Sequence, residues 1–248
     1  VEKTGLLFGL TQTYTGYPMV KEARHLVAEG KLGTLRKVVV EYTQGWLSEQ
    51  EDGDNKQAAW RTNPETSGAS GCMGDIGSHA ANLAEYVCDR HIHSVCAELT
   101  TFVPGRLLDD DGMVLMQMDG GIKGILHASQ VAAGEENNLT LRVFGELASI
   151  EWRQQEPNTL LLTQADKPTQ LLRTGADDLS SIAKANTRIP MGHPEGYLEA
   201  FANIYMAFAA KIRADENNLS EDERADDCPG INEAVRGMAF IELAVHAS

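Results

Sequence analysis

Along residues 36–46, RKVVVEYTQGW, Val38, Val40, Tyr42 and Gln44 alternate with Val39, Glu41, Thr43 and Gly45, the period-two pattern of a strand with two unlike faces. Strand signals of the same kind crowd the middle of the chain. Residues 92–102 and 112–118 are joined across a loop holding Asp109, Asp110 and Asp111; Asp119-Gly120-Gly121 turns into residues 122–131, and Asn137-Asn138 leads into residues 139–144. Gly145-Glu146 then turns into residues 148–153, and Pro157-Asn158 into residues 159–164. These six closely spaced strands with short turns predict a largely antiparallel sheet. Helical spacing brackets them. Tyr17-Pro18 opens a helix that runs to about Glu29 and stops at Gly30 and Gly33. From His193, a long segment places Tyr197, Phe201, Ile204, Tyr205 and Phe208 on one apolar stripe, read as core, and residues 230–248 carry Ile231, Val235, Met238, Ile241, Leu243 and Val245 on a last helix. Residues 6–14, LLFGLTQTY, read as a strand entering from something upstream. Residues 47–66, with an acidic patch from Glu49 to Asp54, read as an irregular loop, as do residues 174–192 and 217–227.

One stretch between the first strand and the sheet-forming run behaves differently. In SGASGCMGDIGSHAANLAEYV, residues 67–87, glycines at 68, 71, 74 and 77 feed directly into good helix formers. On that helix Ile76, Ala80, Leu83 and Val87 form an apolar stripe, while Asp75, His79, Asn82 and Tyr86 form a polar one about 100° away. A carboxylate and an imidazole four residues apart at the edge of a core can meet one small molecule as a proton-transfer pair. The pattern also fits an aspartate that caps the helix and a histidine on its solvated flank. Trp60 and Arg61, in the long loop, read either as an anchor with a solvated neighbour or as a substrate contact in which the guanidinium fork holds a carboxylate or hydroxyl. His91 and His93 lack a third ligand nearby and read as surface histidines, so no metal site is expected.

Bulk properties narrow the function classes. Lys and Arg number 21 against 36 Asp and Glu, a formal charge of −15, and such a surface repels phosphate backbones and anionic membranes. Nucleic acid and membrane are therefore not expected partners. Cys72, Cys88, Cys96 and Cys228 form no Cys-x-x-Cys pair, which suits small apolar fillers in a reduced, cytoplasmic protein. No apolar run approaches the roughly 20 residues of a membrane span. The opening VEKTGLLFGL lacks the features of a signal peptide and reads as internal to a longer chain.

Taken together, YTGYPMV (14–20), GKLGTLRKVVVEYTQGWL (30–47), AWR (59–61), SGCMGDIGSHA (70–80) and GHPEGYLEAFANIY (192–205) resemble the second domain of the glucose-fructose oxidoreductase/inositol dehydrogenase/rhizopine-catabolism (Gfo/Idh/MocA) family. The resemblance implies an α+β fold: a large open, predominantly antiparallel sheet with helices packed on one face, following a dinucleotide-binding Rossmann domain. Residues 1–14 would be a residual strand and linker of that first domain, and 15–248 the second. It further implies oxidation or reduction of a sugar, polyol or similar small molecule with NAD or NADP, Asp75 and His79 being the catalytic pair. In that pair the histidine exchanges the substrate proton and the aspartate orients it or the substrate. Tyr14, Trp60, Arg61 and His193 would contact substrate, and Gly77 the nicotinamide. The family's Gly-x-Gly-x-x-Gly turn and its Glu-Lys-Pro motif are absent from these residues. The chain thus reads as a separated domain, a proteolytic fragment or a truncated gene product, silent by itself and binding no cofactor alone. A homodimer or homotetramer through the uncovered sheet face is expected. Two alternatives are a non-catalytic sensor or scaffold of the same fold, and an oxidation-assisted elimination or glycoside cleavage.

Overall fold

A computed structural model describes residues 1, 3–49, 56–217, 219–220 and 222–248. Most of the acidic patch from Glu49 to Asp54 lies outside them. In chain order the elements are a 3-10 turn (Thr13–Gly16), α1 (Pro18–Ala28), β1 (Leu35–Thr43), α2 (Lys56–Thr62), α3 (Pro64–Ser67), a π-turn (Met73–Gly77) and α4 (Ser78–Cys88). Strands β2 (Ile92–Thr100), β3 (Asp111–Met118), β4 (Lys123–Ser129), β5 (Asn138–Gly145), β6 (Ala148–Arg153), β7 (Thr159–Gln164) and β8 (Gln170–Arg173) follow. The chain returns through α5 (Ser181–Ala185), α6 (Tyr197–Glu216), α7 (Glu223–Asp226) and α8 (Ile231–Ala247).

The strands form one sheet in the order β2-β3-β4-β1-β5-β6-β7-β8. Every neighbouring pair is antiparallel except β1 with β4. Alternation decides which side of the sheet is covered. Val38, Val40 and Tyr42 of β1, Val114 and Met116 of β3, Leu126 of β4, Leu141 and Val143 of β5 and Trp152 of β6 are all buried in one core. The opposite row, Cys96, Leu115, Ile125, Val39, Arg142, Glu151, Leu161 and Leu171, runs across the sheet in register, with no helix over it among the described residues. Leu115 is 61% exposed and Met113 58%. On the covered face, α1 buries Met19, Val20, Ala23 and Leu26, and α4 buries Ala80, Leu83, Ala84 and Val87, as their apolar spacing requires. The predicted class, an open and mostly antiparallel sheet with helices on one face, is the class observed.

Several elements differ from the sequence expectation. Residues 6–12 form no strand: among the described residues they pair with no strand of the sheet, the backbone N–H of Leu10 bonding instead to the carbonyl of Pro229, and Leu6 is exposed. The segment at 47–66 holds α2 and most of α3, and the second of these starts where Asn63 accepts the N–H of Glu65 and Pro64 supplies a preset first turn. Strand β8 is short and sits at an edge, where two leucines and flanking charge gave no alternation to read. The aromatic stripe of α6 is only partly core: Ile204 is buried, but Tyr197 and Tyr205 are exposed and pack with Phe201 along the helix surface. Val235, Met238 and Leu243 of α8 are likewise exposed.

Helix α6 nonetheless fixes the segment that reaches the site. A Cβ on Gly16 would lie 2.2 Å from the carbonyl oxygen of Ala200, so only glycine lets the 3-10 turn approach that helix. Asn203 locks the contact, donating to the carbonyls of Gly16 at 2.8 Å and Asn186 at 2.9 Å.

Candidate active site

The site gathers at one end of the sheet, where β1 and β4 finish and β3 and β5 begin. Its base is the glycine-rich turn. Asp109, just before β3, accepts Ser70 Oγ and the Gly71 N–H on Oδ1 and the Met73 N–H on Oδ2, each at 2.8 Å. Its carbonyl takes the Cys72 N–H at 2.9 Å, and Ser70 Oγ accepts the Gly74 N–H at 2.9 Å. A Cβ on Gly71 would stand 2.4 Å from the Asp109 carbonyl oxygen, which explains that glycine. The orphan donors that begin a helix are thus satisfied by a carboxylate from another element. From here the chain makes a π-turn, closed by Ser78 N–H to Met73 O, before settling into α4.

Asp75 lies within the π-turn, and its Oδ2 receives Arg61 Nε at 2.6 Å and Gln130 Nε2 at 2.8 Å. Arg61, on α2, lies over Trp60 and Trp46 with its guanidinium carbon 5.5 and 5.7 Å from their ring centres, and donates to Gln57 Oε1 at 2.6 Å. His79 occupies the first turn of α4. Its Nδ1 is 2.7 Å from Gln12 Oε1, and the Tyr14 ring meets the imidazole edge-on at 5.3 Å. Burial holds the His79 pKa below its usual value, with the Asp75 charge opposing. The start of a helix also favours the neutral imidazole. Among the described residues no group bonds Nε2, which is therefore the nitrogen open to a ligand.

Tyr14 is buried, and its hydroxyl bonds to that of Tyr42, which donates to Asn137 Oδ1 at 2.8 Å. Gln44 Nε2 donates to the same oxygen at 2.6 Å, and Trp46 Nε1 donates to Gln44 Oε1 at 2.8 Å. Burial raises the pKa of both tyrosines, so they act as neutral hydrogen-bonding groups. The contacts close into a ring: His79, Tyr14, Tyr42, Asn137, Gln44, Trp46, Arg61, Asp75, and back along the helix to His79.

Of the residues expected to form a site, Asp75, His79, Tyr14, Trp60 and Arg61 come together. His193 does not join them; it is exposed, with Nδ1 3.1 Å from the carbonyl of Pro190. Gly77 is buried, and a Cβ there would lie 2.2 Å from Met73 Sδ, so internal packing accounts for that glycine. Nor does Asp75 touch His79 directly, as an orienting partner would: Gln12 holds the ring and Arg61 holds the carboxylate. Gln12, Tyr42, Gln44, Asn137, Gln130 and Asp109 were not anticipated. Tyr42 and Gln44 carried a faint signal, being polar atoms on the inward parity of β1. His91 and His93 are exposed, and no cluster of three potential metal ligands occurs among the described residues.

A dinucleotide needs free backbone donors at a strand–turn–helix junction. Here the donors at Gly71 and Met73 are already taken by Asp109. This glycine-rich turn therefore does not fit a pyrophosphate site.

Fold and site define an α+β domain with an Asp-x-x-x-His helix start at one end of an open sheet. The family model described as the GFO/IDH/MocA C-terminal domain matches residues 20–151, and the chain belongs to the Gfo/Idh/MocA oxidoreductase family. It is 31% identical over its full length to the uncharacterized oxidoreductase YfiI of Bacillus subtilis and spans 64% of that protein. An oxidoreductase from Sinorhizobium meliloti superposes with a TM-score of 0.87 at 40% identity, over 100% of this chain and 64% of the other. An inositol dehydrogenase homolog from Azotobacter vinelandii, complexed with NADH and myo-inositol, superposes with a TM-score of 0.85 at 32% identity, over 96% of this chain and 61% of the other. The chain therefore spans less than two thirds of these relatives.

Proposed function

We propose that this chain is the substrate-binding and oligomerisation part of a nicotinamide-dependent oxidoreductase acting on a sugar, polyol or similar hydroxy or keto compound. The observation that carries the reading is His79, a neutral imidazole held at Nδ1 and open at Nε2, next to a carboxylate fixed by an arginine. In the oxidation direction Nε2 accepts the proton of the substrate hydroxyl, and in reduction it returns it. The nicotinamide supplies the hydride chemistry from outside this chain. Asp75, charged and one helical turn before His79, stabilises the imidazolium that forms and presents its remaining oxygen to a neighbouring hydroxyl. Trp46, Trp60 and the aliphatic part of Arg61 make a wall suited to the apolar face of a ring, while Gln44 and Arg61 offer polar atoms at its rim and the buried Gln130 steadies Asp75. The myo-inositol bound by the Azotobacter relative is of this chemical kind.

The test is His79→Asn in the full-length protein carrying this domain, assayed against a panel of polyols and sugars with NAD and NADP. Turnover should fall by about 10² to 10⁴, the usual contribution of a positioned acid or base, with cofactor affinity nearly unchanged. Turnover within a factor of about three of the unaltered protein would remove His79 from the chemistry. No turnover of any panel member by the unaltered protein would favour a sensor or scaffold.

A further inference from the structure

We propose that Gln12 is a positioning residue that fixes His79 as the Nδ1–H tautomer and so leaves the Nε2 lone pair facing the substrate. The inference rests on reading His79 as the base. Free imidazole side chains favour the opposite tautomer, with the proton on Nε2, so a base that works through Nε2 needs an acceptor opposite Nδ1. Histidines that work this way commonly meet a carboxylate there. Asp75 does not fill that role here: it makes no hydrogen bond to the imidazole among the described residues, and its Oδ2 is turned to Arg61 and Gln130. The acceptor is the Gln12 amide oxygen, 2.7 Å from Nδ1.

Gln12 is itself held. Its side chain is buried, its N–H donates to the Leu10 carbonyl at 2.9 Å, and its carbonyl accepts Thr15 Oγ1 at 2.8 Å. The following turn is pinned to α6 through Gly16 and Asn203. The Tyr14 ring packs edge-on against the imidazole, which restricts the rotation that would withdraw Nδ1 from the amide. A neutral acceptor has a further effect. A carboxylate in this place would favour the imidazolium and blunt the base near neutral pH, whereas an amide selects the tautomer without adding charge. Tautomer choice and base strength are in this way set by separate residues, Gln12 for the first and burial with Asp75 for the second.

The experiment is long-range ¹H–¹⁵N correlation NMR of the imidazoles of this chain above pH 7, with the His79 signals identified by their loss in His79→Gln. The unaltered chain should show His79 protonated at Nδ1 and bare at Nε2. Gln12→Met, similar in volume but without the acceptor, should convert His79 to a majority of the Nε2–H form. Gln12→Glu should retain Nδ1–H. If Gln12→Met does not fold, the spectra of the unaltered chain and of Gln12→Glu decide the matter. An unaltered chain already in the Nε2–H form, or a folded Gln12→Met with its tautomer unchanged, overturns the proposal. The readout is a chemical shift and requires no turnover. Failure of the tautomer assignment therefore remains distinct from failure of the proton-transfer reading, which His79→Asn kinetics test.

Discussion

Asp75 and Arg61 are neighbours in function more than their sequence positions suggest. The loop arginine read as a substrate contact separate from the acid–base pair, yet its Nε sits 2.6 Å from the Asp75 carboxylate. Removing the guanidinium must therefore release the aspartate, in addition to any substrate contact the proposed function gives the arginine. Arg61→Ala in the full-length protein should raise KM and also lower kcat, while Arg61→Lys, a point charge without the fork, should recover only part of either. Steady-state kinetics showing a change in KM alone would separate the two residues again. At this scale the motif residues were legible because Asp75 and His79 share one helix, where spacing alone places them on one face. Gln12, Gln130 and Asn137 were not. Gln130 and Asn137 arrive by strand register, Thr43 pairing with Ser129 on one side and Asn138 on the other, and Gln12 by the 3-10 turn pinned to α6; sequence distance carries no trace of either meeting.

Among the elements, α4 begins in an uncommon way, and Asp109 is why it can. A π-turn has poorer hydrogen-bond geometry than an α-turn, and here its leading N–H groups are collected by one carboxylate from the β2–β3 connection. Asp109→Ala should cost about 2 kcal/mol, the loss of a good cap with more than one bond, read as a lowered denaturation midpoint at unchanged slope. Asp109→Asn should cost less, since one acceptor oxygen remains. The aspartates at 109–111 read only as part of one connecting loop, yet each has its own partner. Asp109 caps the π-turn, Asp110 accepts the N–H groups of Phe102 and Val103 and binds Arg106, and Asp111 meets His127. Strands β1 to β7 were legible from alternation and turn residues because one face is buried and the other is not. Residues 6–14 had the same apolar content, but composition cannot say whether a partner edge exists.

At the scale of the whole molecule, the uncovered sheet face carries Met113, Leu115 and Ile125 side by side, an apolar patch of the kind that marks an interface. Light scattering should report a dimer or larger at micromolar concentrations, and Leu115→Lys should shift it toward monomer. The same face holds His127, 3.3 Å from Asp111 and near Glu41, its pKa raised chiefly by the Asp111 bond. Burial pushes Asp111 up, but the bonds from His127 and Ser129 prevail and leave it below its usual value. A raised histidine stabilises below its unfolded pKa and loses that contribution as pH climbs through its folded value; a lowered aspartate loses its contribution on acidification. The pair should therefore count most between about pH 4 and 6.5. Thermal melts of His127→Gln should fall furthest below those of the unaltered chain near pH 5.5 and converge with them by about pH 9. The single parallel pair, β1 with β4, bears on the order in which a ribosome can complete the fold. β1 emerges early but takes both its partners, β4 and β5, from residues 123–145. Until those arrive it is an apolar strand with two open edges, and the glycine-rich turn with Asp75 and His79 is made in that interval. The nascent domain must wait for its own middle before it can shelter its beginning.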